Sequence, residues 1–323
     1  MILLVLILAV IIPVSFIIWL TSVIFSSYLD LKPLAPWRAM MAVVAPILIS
    51  SWGLKKGSLD RTGVAAGLVV GFILTISNLC FFSSLLIFFV AASKATKFKS
   101  DKKRILEDHF REGGQRNWIQ VLCNGGVAAE FALIYMVDVG CTEKVINFSH
   151  DYNASWLSMA VLGSLACSCG DTFASEIGTV FGTLSSARLI TTFKKVPKGT
   201  NGGVSVAGTV CSLIGGLLVG VAFYLSLVFL TNVSHLNNSP VQWPIVPLAG
   251  LFGILGSSID SLLGATLQYS GYDRKKKCVV ERPGLDVEYI SGTAILDNHS
   301  VNLVAALITA FLAPQIAFFT WRI

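Results

Sequence analysis

A short connection between two apolar segments combines residue types that suit a metal ion and a phosphate. It opens with Gly170-Asp171-Thr172-Phe173-Ala174-Ser175-Glu176 and closes with Lys198-Gly199-Thr200-Asn201-Gly202-Gly203. Carboxylates are good ligands for hard divalent cations. A lysine beside a glycine-rich turn that leads into a helix offers a positive charge and backbone N–H groups to an anion. The connection therefore predicts a site that handles a metal-bound phosphate.

Other polar residues occur where apolar segments begin or end. Asp260 lies near the end of the apolar segment 244–268, and Asp297-Asn298 opens the last apolar segment. Arg116 precedes the segment that carries Asn124, roughly two helical turns farther along. Ionisable residues are costly at membrane depth, so several of them at one depth indicate a functional site. We expect these side chains to converge at one membrane surface.

Each of these residues also has a purely structural interpretation. Asp171 and Asp297 could cap helices, and Thr200-Asn201-Gly202-Gly203 could be a turn followed by an N-cap. Glu176 is five residues from Asp171, so the two side chains do not stack on an ideal helix. They could share an ion only if the helix is distorted between them. For each residue alone both interpretations stay open; the joint pattern favours a site.

Composition identifies the class of protein that must position these residues. The chain has 323 residues, of which 54% are hydrophobic and 13% are charged. Several apolar runs reach the roughly 20 residues that a helix needs to cross a bilayer. The fold class is therefore an all-α, polytopic transmembrane bundle in one domain, with about eight or nine spans and a cleft near the cytoplasmic face. The spans are predicted near residues 1–25, 37–54, 63–93, 118–139, 154–170, 203–231, 244–268 and 300–320.

The basic residues predict the orientation of these spans. Residues 94–117 contain eight Lys or Arg, 188–198 contain four and 274–282 contain five, whereas the loops between them contain one. Short cytoplasmic loops collect such residues. We therefore expect a basic cytoplasmic loop at 94–117 that divides N-terminal spans, 1–93, from a core, 118–323.

The segment 63–93 is too long for one ordinary span. Ser77-Asn78 near its middle permits a tight hairpin, which would also place Lys55, Lys56 and Asp60 on the cytoplasmic side. Gly63, Gly67 and Gly71 form a smooth strip for close helix packing, either within the chain or between copies in a homo-oligomer.

Charge and cysteine usage exclude other classes. The net charge of +6 comes from loop clusters without a folded basic domain, so no nucleic-acid partner is expected. The seven cysteines include no CxxC pair, so neither a disulfide framework nor a zinc site is indicated. Residues 1–25 have no charged n-region, which favours a retained span over a signal peptide.

Several strings of this sequence resemble one known family. They are Trp52-Gly53-Leu54-Lys55-Lys56, Glu112-Gly113-Gly114-Gln115-Arg116-Asn117-Trp118, the two motifs at 170–176 and 195–205, Asp260-Ser261-Leu262-Leu263-Gly264-Ala265-Thr266-Leu267-Gln268 and Ile295-Leu296-Asp297-Asn298. The sequence closely resembles transmembrane protein 19 over nearly its whole length. That family includes plant phytyl-phosphate kinase and is distantly similar to the polyprenol and phytol kinases and the CDP-diacylglycerol synthases.

The resemblance implies a phosphoryl transfer from a nucleotide, CTP in the related enzymes, to an isoprenoid monophosphate, giving a diphosphate. The family's Asp-Thr-x-x-Ser-Glu motif corresponds to Asp171, Thr172, Ser175 and Glu176, and its Gly-Thr-Asn-Gly-Gly loop to Gly199–Gly203. The basic loop of the CDP-diacylglycerol synthases is not evident in this chain, which disfavours cytidylyl transfer.

These observations give a specific hypothesis for the site. Asp171, Glu176 and Asp260 would hold one or two Mg²⁺ ions and, with Lys198, form the catalytic group. Lys198 and the loop Gly199, Thr200, Asn201, Gly202 and Gly203 would hold the nucleotide phosphates, with a helix starting near Gly203. Arg116 would neutralise the acceptor phosphate.

The acceptor lipid is expected to lie close by. Asp297, Asn298 and Asn124 would orient it, and its isoprenoid tail would lie between spans, where Gly and Ser in 250–264 leave room. Glycosylation sequons occur in the loops between the basic ones, at Asn147-Phe148-Ser149, Asn153-Ala154-Ser155, Asn232-Val233-Ser234 and Asn237-Asn238-Ser239, and they suit the endoplasmic reticulum. The alternative function is a membrane transporter or lipid scramblase without catalytic activity.

Overall fold

The computed structural model describes residues 2–29, 33–98, 114–181 and 187–321. Within these ranges the chain is built mainly from long helices, and two of the connections between them contain short strands. The helices are α1 (Ile2–Leu29), α2 (Pro36–Lys55), α3 (Arg61–Ser77), α4 (Leu79–Lys97), α5 (Trp118–Asp138), α6 (Tyr152–Phe173), α7 (Val206–Leu230), α8 (Val233–Asn237), α9 (Ile245–Leu267) and α10 (Asn298–Thr320). Helix α6 continues through a π-helical turn (Ala174–Gly178) and a last α-helical turn (Thr179–Phe181).

In the part of the chain that the structure describes, seven helices are long and apolar enough to cross a membrane, namely α2, α4, α5, α6 with its π-helical turn, α7, α9 and α10. Two shorter apolar helices, Val10–Ser26 within α1 and Arg61–Ser77, accompany them. The predicted class, a polytopic helical membrane bundle, is confirmed. The predicted eight or nine spans correspond to these seven long helices and two shorter ones.

The chain turns back on itself between α3 and α4, as the Ser77-Asn78 pair predicts. Asn78 is buried and extended, its backbone N–H donates to the Leu74 carbonyl, and its side-chain oxygen accepts from the Cys80 N–H at 2.8 Å. One residue therefore ends one helix and caps the next, which is the capping role that asparagine fills well.

Two ends of the bundle can be distinguished by which loops meet there. At one end, the Lys97 amine donates to the Lys56 carbonyl, and Leu59 forms a parallel β-bridge with Arg116. We call this the basic end. At the other end, Arg38 forms an ion pair with Glu143, and Gln242 exchanges hydrogen bonds with Ile146. Lys56 thus lies with the segment before α5, as the hairpin requires; residues 99–113 of the predicted basic loop fall outside the described ranges.

The glycine strip on α3 packs within the chain. A Cβ at Gly67 would approach Ser50 Oγ to 3.3 Å, and one at Gly71 would approach Pro46 Cβ to 3.1 Å, both on α2. Gly63 lies against the carbonyl oxygen of Arg116, where a Cβ would come within 2.1 Å. The absence of side chains lets α2 and the segment before α5 approach α3 closely.

Helix α6 occupies the centre of the bundle. Most of its residues are buried, and it packs against α5, α7, α9 and α10. Glycines permit the close crossings: a Cβ at Gly170 would lie 2.7 Å from Gly253 Cα, and one at Gly215 would lie 2.8 Å from the Cys169 carbonyl oxygen. The helix that carries Asp171 is therefore held rigidly from several sides.

Two small antiparallel sheets in the connections depart from the all-α expectation. Strand β1 (Arg188–Leu189) pairs with β2 (Gly203–Val204) in the connection between α6 and α7. Strands β3 (Ser270–Asp273), β4 (Cys278–Val280) and β5 (Val287–Ser291), in the order β4-β3-β5, form a three-stranded sheet between α9 and α10. These strands are short and carry no strict polar–apolar alternation, so hydrophobic periodicity does not predict them.

Candidate functional site

Asp171 and Asp260 meet at the basic end, and we call them the acid pair. Ser257 Oγ, one turn before Asp260 on α9, donates to Asp171 Oδ1 at 3.2 Å. The two carboxylates are close enough for the negative charge of Asp171 to act on Asp260. Gly253, Ser257 and Asp260 share one face of α9 because they are spaced by four and three residues. The tight crossing of Gly170 on Gly253 turns that face toward Asp171.

A third helix contributes to the acid pair. With the Asn302 amide turned so that its nitrogen can donate, that nitrogen lies 3.1 Å from Asp260 Oδ2 and 3.0 Å from the Asn298 carbonyl oxygen. The sequence reasoning did not single out Asn302. Asn302 lies one turn into the apolar helix α10. Its position was the sequence signal that could have identified it, because a polar side chain inside a membrane bundle needs a hydrogen-bond partner.

Glu176 does not join the acid pair. Among the described residues, no three His, Cys, Asp or Glu side chains lie close enough to hold one metal ion, so the structure does not assemble the three-carboxylate set of Asp171, Glu176 and Asp260. Glu176 lies in the π-helical turn instead, near Arg116. The distortion that the sequence analysis required is present, but it begins beyond Asp171 and does not bring the two acids together.

Arg116 is held at the basic end by its backbone and its side chain. Its N–H donates to the Ser58 carbonyl at 3.1 Å and its carbonyl accepts from the Asp60 N–H at 3.0 Å. The guanidinium donates to the hydroxyls of Ser93 and Thr96, at 3.2 and 3.4 Å. Burial lowers the pKa of Arg116, and the nearby carboxylate of Glu176 acts in the opposite direction. The side chain is therefore a positive charge held by two neutral hydroxyls, with the carboxylate of Glu176 nearby.

The glycine-rich loop uses its backbone differently from the prediction. The N–H of Asn201 donates to Ser270 Oγ at 3.0 Å, and the N–H of Gly203 donates to the Thr200 carbonyl at 2.9 Å. These two N–H groups of the loop that was expected to hold phosphates therefore already have partners within the protein. The next helix also begins at Val206 with Ser205 as its N-cap, three residues beyond the predicted start at Gly203.

The loop is instead fixed against the end of α9. Gly202 has φ +78°, and a Cβ there would lie 2.3 Å from Ala265 Cβ and 2.6 Å from the Ser261 carbonyl oxygen. The Asn201 side-chain amide donates to the Tyr269 carbonyl, and Thr200 Oγ1 donates to the Pro197 carbonyl. Gly199, also at positive φ, has open space around its Cα. The turn thus joins the basic connection to the helix that carries Asp260.

Lys198 reaches from this loop to the last turn of the α6 extension. Its amine donates to the Thr179 carbonyl, and the side chain is partly buried. The carbonyl groups at the end of a helix have no intrahelical partners, so a lysine there also stabilises the helix end. The structure brings Lys198 to the same end of the bundle as the acid pair.

The remaining predicted residues have structural partners of their own. Asp297 is the N-cap of α10; its side chain accepts from the Ser300 N–H at 2.8 Å, and these hydrogen bonds lower the pKa of Asp297. Asn298 supplies a carbonyl to Asn302. The Asn124 amide donates to Gln120 in its own helix, while the Asn124 carbonyl accepts from Ser168 Oγ of α6 at 3.0 Å.

An apolar cavity lies between α2, α3, α4 and α5, and not beside α9. Its volume is about 80 Å³, and Arg116, Gln120 and Asn124 are among the few polar residues in its wall. The glycines of 250–264, in contrast, are consumed by helix packing: a Cβ at Gly253 would lie 2.5 Å from the Ser212 carbonyl oxygen, and one at Gly256 would lie 2.4 Å from Cys167 Sγ. The space beside residues 250–264, which was expected to hold the isoprenoid tail, is therefore filled by neighbouring helices.

Comparisons with known proteins place this geometry in a family context. A family model described as integral membrane protein DUF92 matches residues 44–310. Protein PGR of Arabidopsis thaliana is 41% identical over 276 residues, which cover 85% of this chain and 95% of that protein. No solved structure matches the chain.

More distant relatives match most of the chain as well. An uncharacterized membrane protein of Methanocaldococcus jannaschii is 26% identical over 282 residues, which cover 86% of this chain and 94% of that protein. Protein VTE6, chloroplastic, of Arabidopsis thaliana is 27% identical over 238 residues, which cover 72% of this chain and 63% of that protein. The family-level resemblance drawn from the motifs is confirmed, whereas a chloroplastic relative gives no support to the endoplasmic reticulum.

Proposed function

The chain belongs to the integral membrane protein family DUF92, and from that premise we propose that it transfers a phosphoryl group from a nucleotide to an isoprenoid monophosphate. The observation that carries the proposal is the acid pair, two carboxylates donated by separate helices, α6 and α9, at the basic end. Two acids placed side by side inside a membrane bundle are costly unless a cation or a proton neutralises them. The resemblance to a family that includes a phytyl-phosphate kinase supports the reaction class.

The donor set of the acid pair fits Mg²⁺. This ion is usually held by one or two carboxylates, keeps several waters and takes its remaining ligands from phosphates. Asp171 and Asp260 would hold it, while Ser257 and Asn302 fix the orientation of the carboxylates. When bound, Mg²⁺ would neutralise the charge on the nucleotide phosphates. Of the residues in 170–176, Asp171 would thus be a ligand of the Mg²⁺ ion. Glu176 would lie beside Arg116 instead.

The loop at 198–203 serves the nucleotide in this proposal. Lys198 lies at its start, and the turn formed by Gly199, Thr200, Asn201, Gly202 and Gly203 packs against Ala265 of α9 and is hydrogen-bonded to Ser270 of β3. The loop would therefore keep the Lys198 amine at a constant place relative to Asp260. A fixed lysine neutralises the charge that develops on a transferring phosphoryl group.

The acceptor phosphate would bind at Arg116. A phosphate monoester is largely dianionic at neutral pH because its second pKa is about 6, so no strong general base is required. An acceptor oxygen forms the new bond to the γ-phosphorus, the bond from that phosphorus to the bridging oxygen breaks, and the nucleoside diphosphate leaves. Arg116 binds the acceptor and Glu176, near it, limits the net positive charge at this position.

Product analysis tests this function. The purified full-length protein, in nanodiscs with Mg²⁺, CTP and a C20 isoprenyl phosphate, should form the isoprenyl diphosphate, which mass spectrometry detects. ATP and GTP in place of CTP establish the nucleotide. A nucleotide-independent lipid flux in vesicles, without product in any of these mixtures, would instead establish the transporter or scramblase function.

A further inference from the structure

The basic end contains a second cavity beside the apolar one. We call it the basic cleft; it is lined by Lys56, Lys94 and Lys97, by Ser58 and Ser93, and by Trp52. All three lysines are exposed, and the Lys97 amine donates to the Lys56 carbonyl, so this opening carries several positive charges. They match a phosphate, which carries up to two negative charges and accepts several hydrogen bonds.

The two cavities share a boundary. Arg116, in the wall of the apolar cavity, donates to Ser93 Oγ of the basic cleft at 3.2 Å. Trp52 of the basic cleft packs edge-on against Phe89 of the apolar cavity, with ring centroids 6.0 Å apart. A molecule with a charged head and a long apolar chain could therefore reach from one compartment into the other past Arg116.

One buried hydroxyl in the basic cleft has an unused hydrogen-bonding capacity. Ser58 is 3% exposed, and its Oγ has no hydrogen-bond partner among the residues that the structure describes. Buried hydroxyls are nearly always partnered, because leaving one unpaired costs about 1–3 kcal/mol. An oxygen of a bound head group would supply the missing partner.

The wall of the apolar cavity fits a single flexible chain. Its side chains include Pro46, Val70, Phe82, Leu85 and Phe89, which offer no partner to a polar group. A mostly apolar wall with a few polar groups is typical of sites that bind amphipathic molecules, and the open mouth of this cavity lets a long chain continue beyond it.

We propose that the basic cleft and the apolar cavity together form one binding site for a lipid with a phosphate head group and a long apolar chain. The phosphate lies among Lys56, Lys94, Lys97 and Arg116, and the chain lies between α2 and α5. The identification of this lipid as the isoprenoid phosphate acceptor rests on the proposed function. This places the acceptor chain among α2–α5, away from the glycines of α9.

Photocrosslinking locates the lipid directly. A C20 isoprenyl phosphate that carries a diazirine on its chain is irradiated with the full-length protein in nanodiscs, and the labelled peptides are identified by mass spectrometry. The expected labels lie in residues 82–89 and 116–125 and are lost when unlabelled isoprenyl phosphate competes. Labels confined to α7 or α9, or labels that do not respond to competition, would overturn the proposal.

Competitors distinguish the sources of the phosphate. The unlabelled isoprenyl phosphate should displace the probe at a concentration at least tenfold lower than the corresponding alcohol. Inorganic phosphate and CTP at the same concentrations should leave the labelling unchanged. Equal displacement by the alcohol would refute a role for the head group, and displacement by inorganic phosphate or CTP would assign the cleft to a free phosphate.

Two matched pairs of variants test the site, one pair for the apolar cavity and one for the basic cleft. Val121→Trp fills the apolar cavity, while Leu122→Trp on the next position of α5 points away from it and is exposed. Lys56→Gln removes a charge from the basic cleft, while Lys55→Gln removes one beside it. Val121→Trp and Lys56→Gln should each weaken probe binding at least tenfold, and the controls Leu122→Trp and Lys55→Gln less than twofold. All four proteins should stay monodisperse, which shows that they are folded. Equal effects within a pair would contradict the site.

This test is separable from that of the proposed function. Labelling at α4 and α5 without diphosphate formation would leave the binding site in place and remove the kinase reaction. Diphosphate formation with the lipid labelled elsewhere would leave the kinase and remove this site.

Discussion

At the scale of single residues, the acid pair shows which chemical features a sequence reveals and which it hides. Asp171 and Asp260 stand out because carboxylates are rare in apolar segments, and the structure brings them together. The exclusion of Glu176 could not be read from spacing, because a π-helical turn changes the direction of every side chain beyond it. Ser257 and Asn302 resemble ordinary small or polar helix residues until their partners are known.

Ser257 provides a test of how the acid pair is oriented. We expect Ser257→Ala to raise the Mg²⁺ concentration that gives half-maximal phosphoryl transfer by about tenfold, because partners of metal ligands typically contribute 10- to 100-fold in affinity. The control is Ser258→Ala, since the Ser258 hydroxyl donates only to the Ile254 carbonyl of its own helix. Mg²⁺ titrations of the transfer rate measure both. Equal shifts for the two serines would remove the orienting role.

At the scale of secondary-structure elements, glycines determine where helices and loops can approach. The glycine strip of α3 was predicted as a packing surface, and its partner α2 became known only from the structure. The glycines of α9 were predicted to leave room for a lipid tail, but close packing against α6 and α7 fills that room. Glycine in a sequence indicates a close approach and does not say whether protein or ligand makes it.

The loop glycines give a matched pair for the role of the 198–203 turn. Gly199 and Gly202 both have positive φ, so alanine at either position costs about 1–2 kcal/mol of backbone strain. Alanine at 202 also collides with the α9 backbone, whereas position 199 is open. We therefore expect Gly202→Ala to lower the melting temperature several degrees more than Gly199→Ala does, measured by differential scanning fluorimetry in detergent. Equal melting temperatures would show that the turn is not fixed to α9.

At the scale of the whole molecule, charge and apolar length predicted the architecture well. The seven long helices, the hairpin at Asn78 and the sorting of loops to two ends all follow from physical constraints that act on every membrane chain. The small sheets and the position of the apolar cavity depend on how particular faces of the helices meet. No periodicity in one segment encodes such contacts, so these features came only from the structure.

Accessibility to a membrane-impermeant maleimide tests the two-ended arrangement. With the two partly exposed cysteines, Cys123 and Cys141, replaced by serine, Lys276→Cys and Asn238→Cys place single reporters on opposite ends. In sealed vesicles we expect labelling of only one reporter, and of both after permeabilisation, because the basic end faces one compartment. Equal labelling of both reporters in sealed vesicles would contradict this topology.

The most direct test of the central claim is the rate of phosphoryl transfer from a γ-³²P-labelled nucleotide to isoprenyl phosphate by the acid-pair variants. Asp171→Asn and Asp260→Asn keep the size of each side chain and remove one negative charge. We predict that each lowers the rate by about 100-fold or more, with a melting temperature no lower than that of the wild type, because charge stabilisation dominates this reaction. Rates within threefold of the wild type in both variants would contradict the assignment of the reaction to Asp171 and Asp260.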